Sequence, residues 1–285
     1  MRTEETLYQR ILHTAKDDPR IRAVYMNGSR TDPKAPKDRF QDYDIVYVVE
    51  DTQPFIEDKT WLEVFGNRIM MQEPDQLDRG IGYNRDFTKS YAYLMLFSDG
   101  VRIDLQVKSK EEGLKDFTKE KLTVKLLDKD RLLPDIPEPT DEDYWVKKPT
   151  AGEFDSVTNN FYWCSQNVAK GILRKELPYA MGMYQETMLR ALHRMMDWWI
   201  GMNHDFEVST GKLGKYYEMY LPKEYWMLYK EVYPSGDYDS IRESILVACK
   251  LFQELGQAVA KELGYAYPYE DEARMTAYLR KEKII

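Results

Sequence analysis

The sequence of 285 residues predicts two domains in succession, an α/β domain with a mixed β-sheet and then an all-α helical bundle. The first half alternates short β-branched, apolar runs with amphipathic segments, whereas the second half repeats apolar residues at helical spacing. A third observation is an acidic stretch between them that contains four prolines, Pro134, Pro137, Pro139 and Pro149. Proline interrupts helices, so we predict a domain over residues 1–135, a linker over 136–149 and a second domain over 150–285.

The elements predicted for the first domain follow from local spacing. Residues 3–16 place Leu7, Ile11 and Ala15 on one helical face, which predicts an amphipathic helix. Short apolar or alternating runs predict strands, at residues 21–26, 43–49, 68–72, 91–97 and 101–107. The sequence Ser98-Asp99-Gly100 is typical of a hairpin turn, so the last two strands are expected to pair.

The second domain begins with the most regular helical pattern of the chain. Thr150 is a typical N-cap, and the apolar residues after it are spaced by three or four, which predicts a helix from there through Leu177. The same spacing predicts four further helices, at about 179–203, 222–231, 237–263 and 270–281. These segments together predict a helical bundle.

The amino-acid composition excludes several kinds of functional site. The chain has only two cysteines and three dispersed histidines, which leaves little for a disulfide framework, a thiolate site or a histidine-ligated metal. A formal net charge of −8 argues against binding a nucleic-acid backbone and favours a cationic small molecule. No apolar run approaches the roughly 20 residues of a spanning helix, and the charged N-terminal sequence is unlike a signal peptide, so we expect a cytoplasmic protein without a membrane partner.

Three aspartates form the most informative pattern. Asp42 and Asp44 are separated by one residue at the start of a strand, so their side chains point to one face. In the strand 101–107, alternation buries Val101, Ile103 and Leu105 and leaves Asp104 on the opposite face with Arg102 and Gln106: the apolar and polar residues separate cleanly. If the two strands are neighbours, the three carboxylates form a site for Mg²⁺ and for a phosphoryl-type transfer with two metal ions.

Context distinguishes this pattern from other acidic triplets. Asp237-Tyr238-Asp239 repeats the residues of Asp42-Tyr43-Asp44, but it follows Pro-Ser-Gly and precedes a helix, which predicts a turn and an N-cap. Asp42 and Asp44 instead lie at the start of a strand and follow Gly28-Ser29. The missing Cβ of Gly28 lets the backbone approach a phosphate, and the hydroxyl of Ser29 can bond the phosphate oxygens. The combination favours a functional site.

These residues also carry a family resemblance. Gly28-Ser29, Asp42-x-Asp44 and the strand residue Asp104 resemble the signature of the DNA polymerase β type nucleotidyltransferases. Longer stretches are similar to the aminoglycoside 6-adenylyltransferases, the streptomycin-modifying resistance enzymes: Asn27-Gly28-Ser29-Arg30-Thr31, Phe40-Gln41-Asp42-Tyr43-Asp44-Ile45, Leu126-Leu127-Asp128-Lys129-Asp130 and Val168-Ala169-Lys170-Gly171. The similarity runs through nearly the whole chain, with departures at Asn27, Asn160 and Gln106 that concern the acceptor more than the chemistry.

The resemblance implies adenylyl transfer from ATP, with two Mg²⁺ ions, to the 6-hydroxyl of streptomycin, and release of pyrophosphate. It implies that Asp42 and Asp44 bind both metals and the triphosphate, and that Asp104 binds the metal nearer the attacking hydroxyl and helps take its proton. It also implies a helical domain that closes the substrate cleft. A monomer or a weak homodimer is expected.

Other residues are expected at the substrates. Gly28, Ser29 and Arg30 are candidates for the phosphates, and Lys170 for the triphosphate from the second domain. Their alternatives are a turn cap for Ser29, a surface ion pair for Arg30 and a solvated helix position for Lys170. The candidates for the acceptor pocket are two carboxylates that suit a guanidinium and two aromatic residues that are otherwise core: Glu153, Asp155, Tyr162 and Trp163.

Two alternatives to streptomycin modification remain open from the sequence. One keeps the chemistry and changes the acceptor to a lincosamide, another hydroxylated antibiotic or a protein side chain. The other is a catalytically silent nucleotide-binding or toxin-antitoxin-like module. The complete set of Asp42, Asp44 and Asp104 counts against a silent protein.

Overall fold

A six-stranded mixed sheet forms the centre of the first half of the protein, in a computed structural model that describes residues 2–285. The chain divides into two units, of which the first ends at Asp143 and the second begins at Tyr144. This division lies within the proline-rich stretch 136–149. The mixed sheet and the helical second half confirm the predicted fold class.

The strands of the first unit are β1 (Ile21–Asn27), β2 (Tyr43–Val49), β3 (Arg68–Gln72), β4 (Ser90–Phe97), β5 (Arg102–Ser109) and β6 (Thr123–Asp128). Its helices are α1 (Glu4–Asp17), α2 (Gln53–Glu57), α3 (Pro74–Gly80) and α4 (Lys110–Phe117). The strand order is β3-β4-β5-β2-β1-β6, and β2 pairs with β5 in parallel while the other pairs are antiparallel. The sheet is therefore mixed because of its central pair.

Both faces of the sheet are covered, which explains why β2 is apolar almost throughout. On one face, Ile45 and Ile103 belong to a core cluster with Leu7 and Ile11 of α1. On the other face, Val48 belongs to a smaller cluster under α4. The polar residues Asp44 and Asp104 lie on this second face, nearer the starts of their strands, because side chains alternate along β2 and β5.

One strand, β6, is not predicted from the sequence pattern. β6 pairs antiparallel with β1 at the sheet edge, with Val24 opposite Leu127. Its sequence, Thr123–Asp128, mixes one lysine and one aspartate with apolar residues, and most of its side chains are only partly buried. A half-exposed edge strand of this kind gives a weak periodic signal, so its pairing partner is what identifies it.

The second unit is a bundle of helices around one core. Its helices are α5 (Ala151–Leu173), α6 (Leu177–Met183), α7 (Arg190–Met202), α8 (Tyr217–Tyr220), α9 (Lys223–Glu231), α10 (Tyr238–Leu263) and α11 (Tyr269–Lys281). α5 contacts α6, α7, α10 and α11, which makes it the central helix. Phe161 of α5 stacks on Phe252 of α10 with ring centroids 3.8 Å apart. Within residues 2–285, no helix is both long enough and apolar enough to cross a membrane.

Two predicted helices are corrected. The first ends at Leu173 rather than Leu177, because Lys175 adopts a positive φ of 60° that no continuous helix contains. The helix predicted over 179–203 is three segments, since a π-helical stretch, Tyr184–Leu189, separates α6 from α7. The N-caps predicted at Thr150 and Asp237 are confirmed, and Asp237 accepts a bond from the backbone N–H of Ser240.

The packing of α4 on β2 depends on a glycine. A Cβ on Gly113 would lie 2.8 Å from Cγ2 and 3.2 Å from Cγ1 of Val48, so rotation of the valine cannot make room. We expect Gly113→Ala to lower the free energy of unfolding by about 1 kcal/mol, because the overpacking cost of about 1–3 kcal/mol exceeds the gain in helix propensity. Urea unfolding measures the change.

The control is Gly80→Ala in α3, where a Cβ meets no atom within 4 Å. This variant should be as stable as the parent protein or slightly more so. Equal stability of both variants would show that α4 lies further from β2 than described.

Candidate active site

Three carboxylates come together at the starts of β2 and β5. The parallel register places Asp44 directly opposite Asp104, which confirms that the two predicted strands are neighbours. Residues at matching positions on adjacent strands point to the same face, and Asp42 shares that face by alternation. Like charges on one partly buried face resist joint ionisation unless a cation lies near them.

The nearest cation is the guanidinium of Arg102. Its Nε and Nη2 donate to Oδ1 and Oδ2 of Asp104 at 2.8 and 2.6 Å, which is a bidentate pair. Its Nη1 lies 3.4 Å from Oδ2 of Asp42. Arg102 thus connects two of the three carboxylates, and its side chain remains 45% exposed.

The site carries more negative charge than Arg102 neutralises. Burial, reinforced by the charges of Asp104 and Asp42, raises the pKa of Asp44 to about 7. Burial also raises the pKa of Asp42, against the opposing effect of Arg102. Glu120 adds a smaller negative contribution at Asp44. The carboxylate oxygens, their charge and their partial burial fit a hard divalent cation such as Mg²⁺.

The side chains are not already arranged around such an ion. In the described chain, 2–285, no group of three or more His, Cys, Asp or Glu side chains is placed so that it could hold a metal as it stands. The bidentate pair with Arg102 accounts for this at Asp104, because both carboxylate oxygens are engaged. Metal binding by Asp42, Asp44 and Asp104 would therefore require these side chains to rearrange.

A glycine allows Asp44 to approach the preceding turn. Gly28 follows β1 with a positive φ of 79°, and a Cβ built on it would lie 2.2 Å from Oδ2 of Asp44. Any side chain here would both strain the backbone and overlap the carboxylate. The hydroxyl of Thr31 bonds the Gly28 carbonyl at 2.8 Å and closes the turn. The hydroxyl of Ser29 has no partner among residues 2–285, which leaves it able to bond a ligand.

Arg30 is committed to the segment that leads into β2. Its Nε and Nη2 donate to the carbonyls of Asp42 and Gln41 at 3.1 and 2.9 Å, and its guanidinium lies 3.7 Å from the Tyr43 ring centroid. It also pairs with Glu4 at 3.2 Å, and its side chain is only 8% exposed. These contacts indicate that Arg30 positions the backbone of Asp42.

The substrate-binding candidates in the second unit all lie on α5, but some are exposed and one is buried. Trp163 is 65% exposed, and Asp155 and Lys170 are also exposed. Tyr162 is only 4% exposed, and its hydroxyl lies 2.6 Å from that of Tyr267, which makes it a core residue. The exposed three form the outer surface of the helix.

Glu153 has a structural partner as well as a place beside a cavity. Its Oε2 accepts bonds from the backbone N–H and the hydroxyl of Thr150, which completes the capping box of α5. It also lines a cavity of about 370 Å³ together with Asp197 and Trp198. Asp197 accepts hydrogen bonds from Thr210 and Tyr217 there, both at 2.8 Å and both to Oδ1.

Two charged residues at the carboxylates have roles that the sequence pattern does not predict directly. Arg102 shares a strand face with Asp104, and an arginine two residues from an aspartate on one face can pair with it. Glu120 lies outside any strand, so only the folded chain shows that it influences Asp44. The first had a local signal and the second had none.

Comparison with known proteins adds a separate observation. The family described as streptomycin adenylyltransferase matches residues 1–282 of this chain. An aminoglycoside 6-adenylyltransferase of Campylobacter jejuni is 38% identical over 99% of this chain and 97% of its own length. One from Bacillus subtilis (strain 168) is 37% identical over 95% of each. A crystal structure of an aminoglycoside 6-adenyltransferase from Bacillus subtilis has 32% identity, covers 99% of each chain and gives a TM-score of 0.49.

The raised pKa of Asp44 implies that the folding stability of the metal-free protein depends on pH. An unfolded aspartate ionises near 3.8, whereas the folded one ionises near 7. Between these values the unfolded state loses its proton first, so folding becomes less favourable as the pH rises, and the penalty is complete above about pH 7. We expect Asp44→Asn to be more stable than the parent protein at pH 8 in EDTA, by on the order of 2 kcal/mol.

The advantage should shrink steadily towards pH 4, and thermal unfolding across this range measures it. Asp239→Asn is the control, because that side chain is 90% exposed and lies at a helix start. A difference between Asp44→Asn and the parent that stays constant with pH would contradict the electrostatic origin.

Proposed function

The chain belongs to the streptomycin adenylyltransferase family, and from this we propose that it transfers the adenylyl group of MgATP to the 6-hydroxyl of streptomycin. The family's reaction, adenylyl transfer from ATP to an aminoglycoside, confers antibiotic resistance and makes the chain a nucleotidyltransferase. The observation that carries the finer proposal is the facing pair Asp44 and Asp104, with Asp42 beside it. These carboxylates suit a transfer in which charge develops at the α-phosphorus.

In this proposal Asp42, Asp44 and Asp104 hold two Mg²⁺ ions. The ions, when bound, neutralise charge on the phosphate oxygens and lower the pKa of the acceptor hydroxyl. Asp42 and Asp44 would hold both ions and, through them, the triphosphate. Asp104 would hold the ion nearer the acceptor hydroxyl and help take the proton of that hydroxyl. The attacking oxygen then forms the new bond to the α-phosphorus as pyrophosphate leaves.

In this proposal the turn after β1 binds phosphate, and Lys170 is a further phosphate candidate. Gly28 brings the backbone close to Asp44, and the next residue, Ser29, offers its amide and hydroxyl to a phosphate oxygen. Lys170 is exposed and has no ion pair in residues 2–285, which leaves its ammonium available for the triphosphate. Arg30 contributes by fixing the backbone of Asp42 rather than as a free phosphate ligand.

The acceptor is bound in this proposal by α5 and its surroundings. Asp155 and Glu153 offer carboxylates to the guanidinium groups of streptomycin, and the exposed ring of Trp163 offers an apolar surface. Tyr162 supports this face from the core through its bond to Tyr267. The acidic net charge of −8 favours the approach of a cationic antibiotic over an anionic one.

The direct test is pyrophosphate release from MgATP, measured with streptomycin and with a panel of other aminoglycosides and a lincosamide. We expect release that depends on streptomycin. In Asp104→Asn, turnover should fall at least about 1,000-fold while the fold is retained, because a metal ligand and the proton acceptor are lost together.

The matched control is Asp239→Asn, which changes the last residue of the repeated Asp-Tyr-Asp sequence at the surface of the second unit. It should retain full activity. Pyrophosphate release with a lincosamide but not with streptomycin would show that the acceptor is wrong and that the adenylyl transfer is right. A fully active Asp104→Asn variant would exclude Asp104 from the mechanism.

A second prediction concerns Gly28. Gly28→Ala and Gly100→Ala both place alanine at a positive φ, 79° and 82°, so each should cost about 1–2 kcal/mol of stability. Only Gly28→Ala also drives a Cβ against Asp44, because Gly100 has no atom within 4 Å of the added group. We therefore expect Gly28→Ala alone to lose at least about 100-fold in turnover.

Thermal unfolding and pyrophosphate release on the same two variants measure the two effects. Equal activity of the two variants would show that contact between Gly28 and Asp44 has no part in the reaction.

A further inference from the structure

Arg102 occupies the position at which the carboxylates need a cation. We propose that its guanidinium is the resident counter-ion of the site in the nucleotide-free protein, and that a divalent cation must displace it from Asp104 and Asp42 to bind. This inference rests on the proposed function, because it takes those carboxylates as metal ligands. Arg102 is thereby a positioning residue that sets how tightly the enzyme holds metal before ATP arrives.

The fork of Arg102 competes with a metal ion for Asp104. The guanidinium engages Oδ1 at 2.8 Å and Oδ2 at 2.6 Å, so each oxygen already shares one lone pair with a charged donor. Its third nitrogen is 3.4 Å from Asp42. Consistent with this, no three acidic, histidine or cysteine side chains in the described part of the chain are gathered as a metal site.

The charges favour exchange rather than coexistence. Three carboxylates share a face with the Arg102 guanidinium, and Arg30 adds a smaller positive contribution at Asp42, so a divalent cation neutralises more of the site's charge than Arg102 does. Oxygen ligands of this kind suit Mg²⁺ better than any other ligand type. The exchange is nevertheless costly, because a bidentate charge-assisted pair has to be broken first.

The side chain of Arg102 can leave the carboxylates without disrupting the fold. Within residues 2–285, the side-chain hydrogen bonds and ion pairs of Arg102 go to Asp104 and Asp42, and its side chain is 45% exposed, so release of the guanidinium breaks no hydrogen bond with the core. Metal should therefore bind more weakly to the parent protein than to a variant without the guanidinium.

The test is titration calorimetry of the nucleotide-free protein with Mn²⁺, a spectroscopically useful substitute for Mg²⁺. Removing a hydrogen-bonded charge pair that competes with the ion should change the dissociation constant by about tenfold. We expect Arg102→Ala to bind Mn²⁺ about tenfold more tightly than the parent protein. Its melting temperature in EDTA should be lower, and Mn²⁺ should raise that temperature by more than in the parent.

The matched control is Arg85→Ala. Arg85 also directs two nitrogens to one aspartate, Asp78, although both reach Oδ2, and its side chain has a similar exposure of 48%; its loss removes a surface ion pair elsewhere in the first unit and should leave Mn²⁺ affinity unchanged. Arg102→Gln and Arg102→Lys provide folded alternatives if the alanine variant unfolds. The lysine variant keeps the charge without the fork, and its Mn²⁺ affinity should fall between those of the parent and the glutamine variant.

Unchanged or weaker Mn²⁺ binding by Arg102→Ala or Arg102→Gln, with the parent binding through Asp104, would overturn this inference and leave the proposed function standing. If Asp104→Asn binds Mn²⁺ as well as the parent does, the metal lies elsewhere and both assignments fail. Pyrophosphate release by the parent protein is measured separately, so failure of the streptomycin reaction is distinguishable from either result.

Discussion

The parallel pairing of β2 with β5 is the constraint on which the site depends. It fixes Asp44 opposite Asp104, and alternation then brings Asp42 to the same face. The backbone positions of Asp44 and Asp104 cannot move apart to relieve the repulsion, because both strands are anchored in the apolar core of the sheet. Arg102 partly neutralises the negative charge that this arrangement concentrates, and Gly28, which has no side chain, leaves room for the carboxylate of Asp44.

The sheet sustains this arrangement through burial elsewhere. Ile45 and Ile103 lie on the opposite face and are fully buried, as is Val48 beyond Asp44 on the same face. Burying apolar surface yields about 25 cal/mol per Å², so these neighbours readily offset an unfavourable charge interaction of a few kcal/mol. Asp42 keeps 36% of its side chain exposed, whereas burial is the main cause of the raised pKa of Asp44. Stability and function are thus served by different residues of the same strands.

Much of this could be predicted from the sequence, and the remainder could not for identifiable reasons. The faces of Asp42, Asp44 and Asp104 follow from a periodicity of two, and the caps at Thr150 and Asp237 follow from local hydrogen bonding. Strand β6 was overlooked because its stability comes from pairing with β1 rather than from its own pattern. The π-helical stretch in the second unit satisfies a helical periodicity over most of its length, so only the backbone reveals it. Tyr162 appeared able to line a pocket, but its neighbours in three dimensions make it core.

The close approach of Gly28 to Asp44 limits how this sequence can change over time. Every substitution of a glycine adds at least a Cβ, and here that atom would fall 2.2 Å from a carboxylate oxygen. Every substitution at position 28 is therefore expected to be harmful. The surface of α5 around Trp163, in contrast, can accept many residues without disturbing the fold. Under selection by new antibiotics, we expect variation to accumulate on that helix surface while the turn after β1 stays fixed.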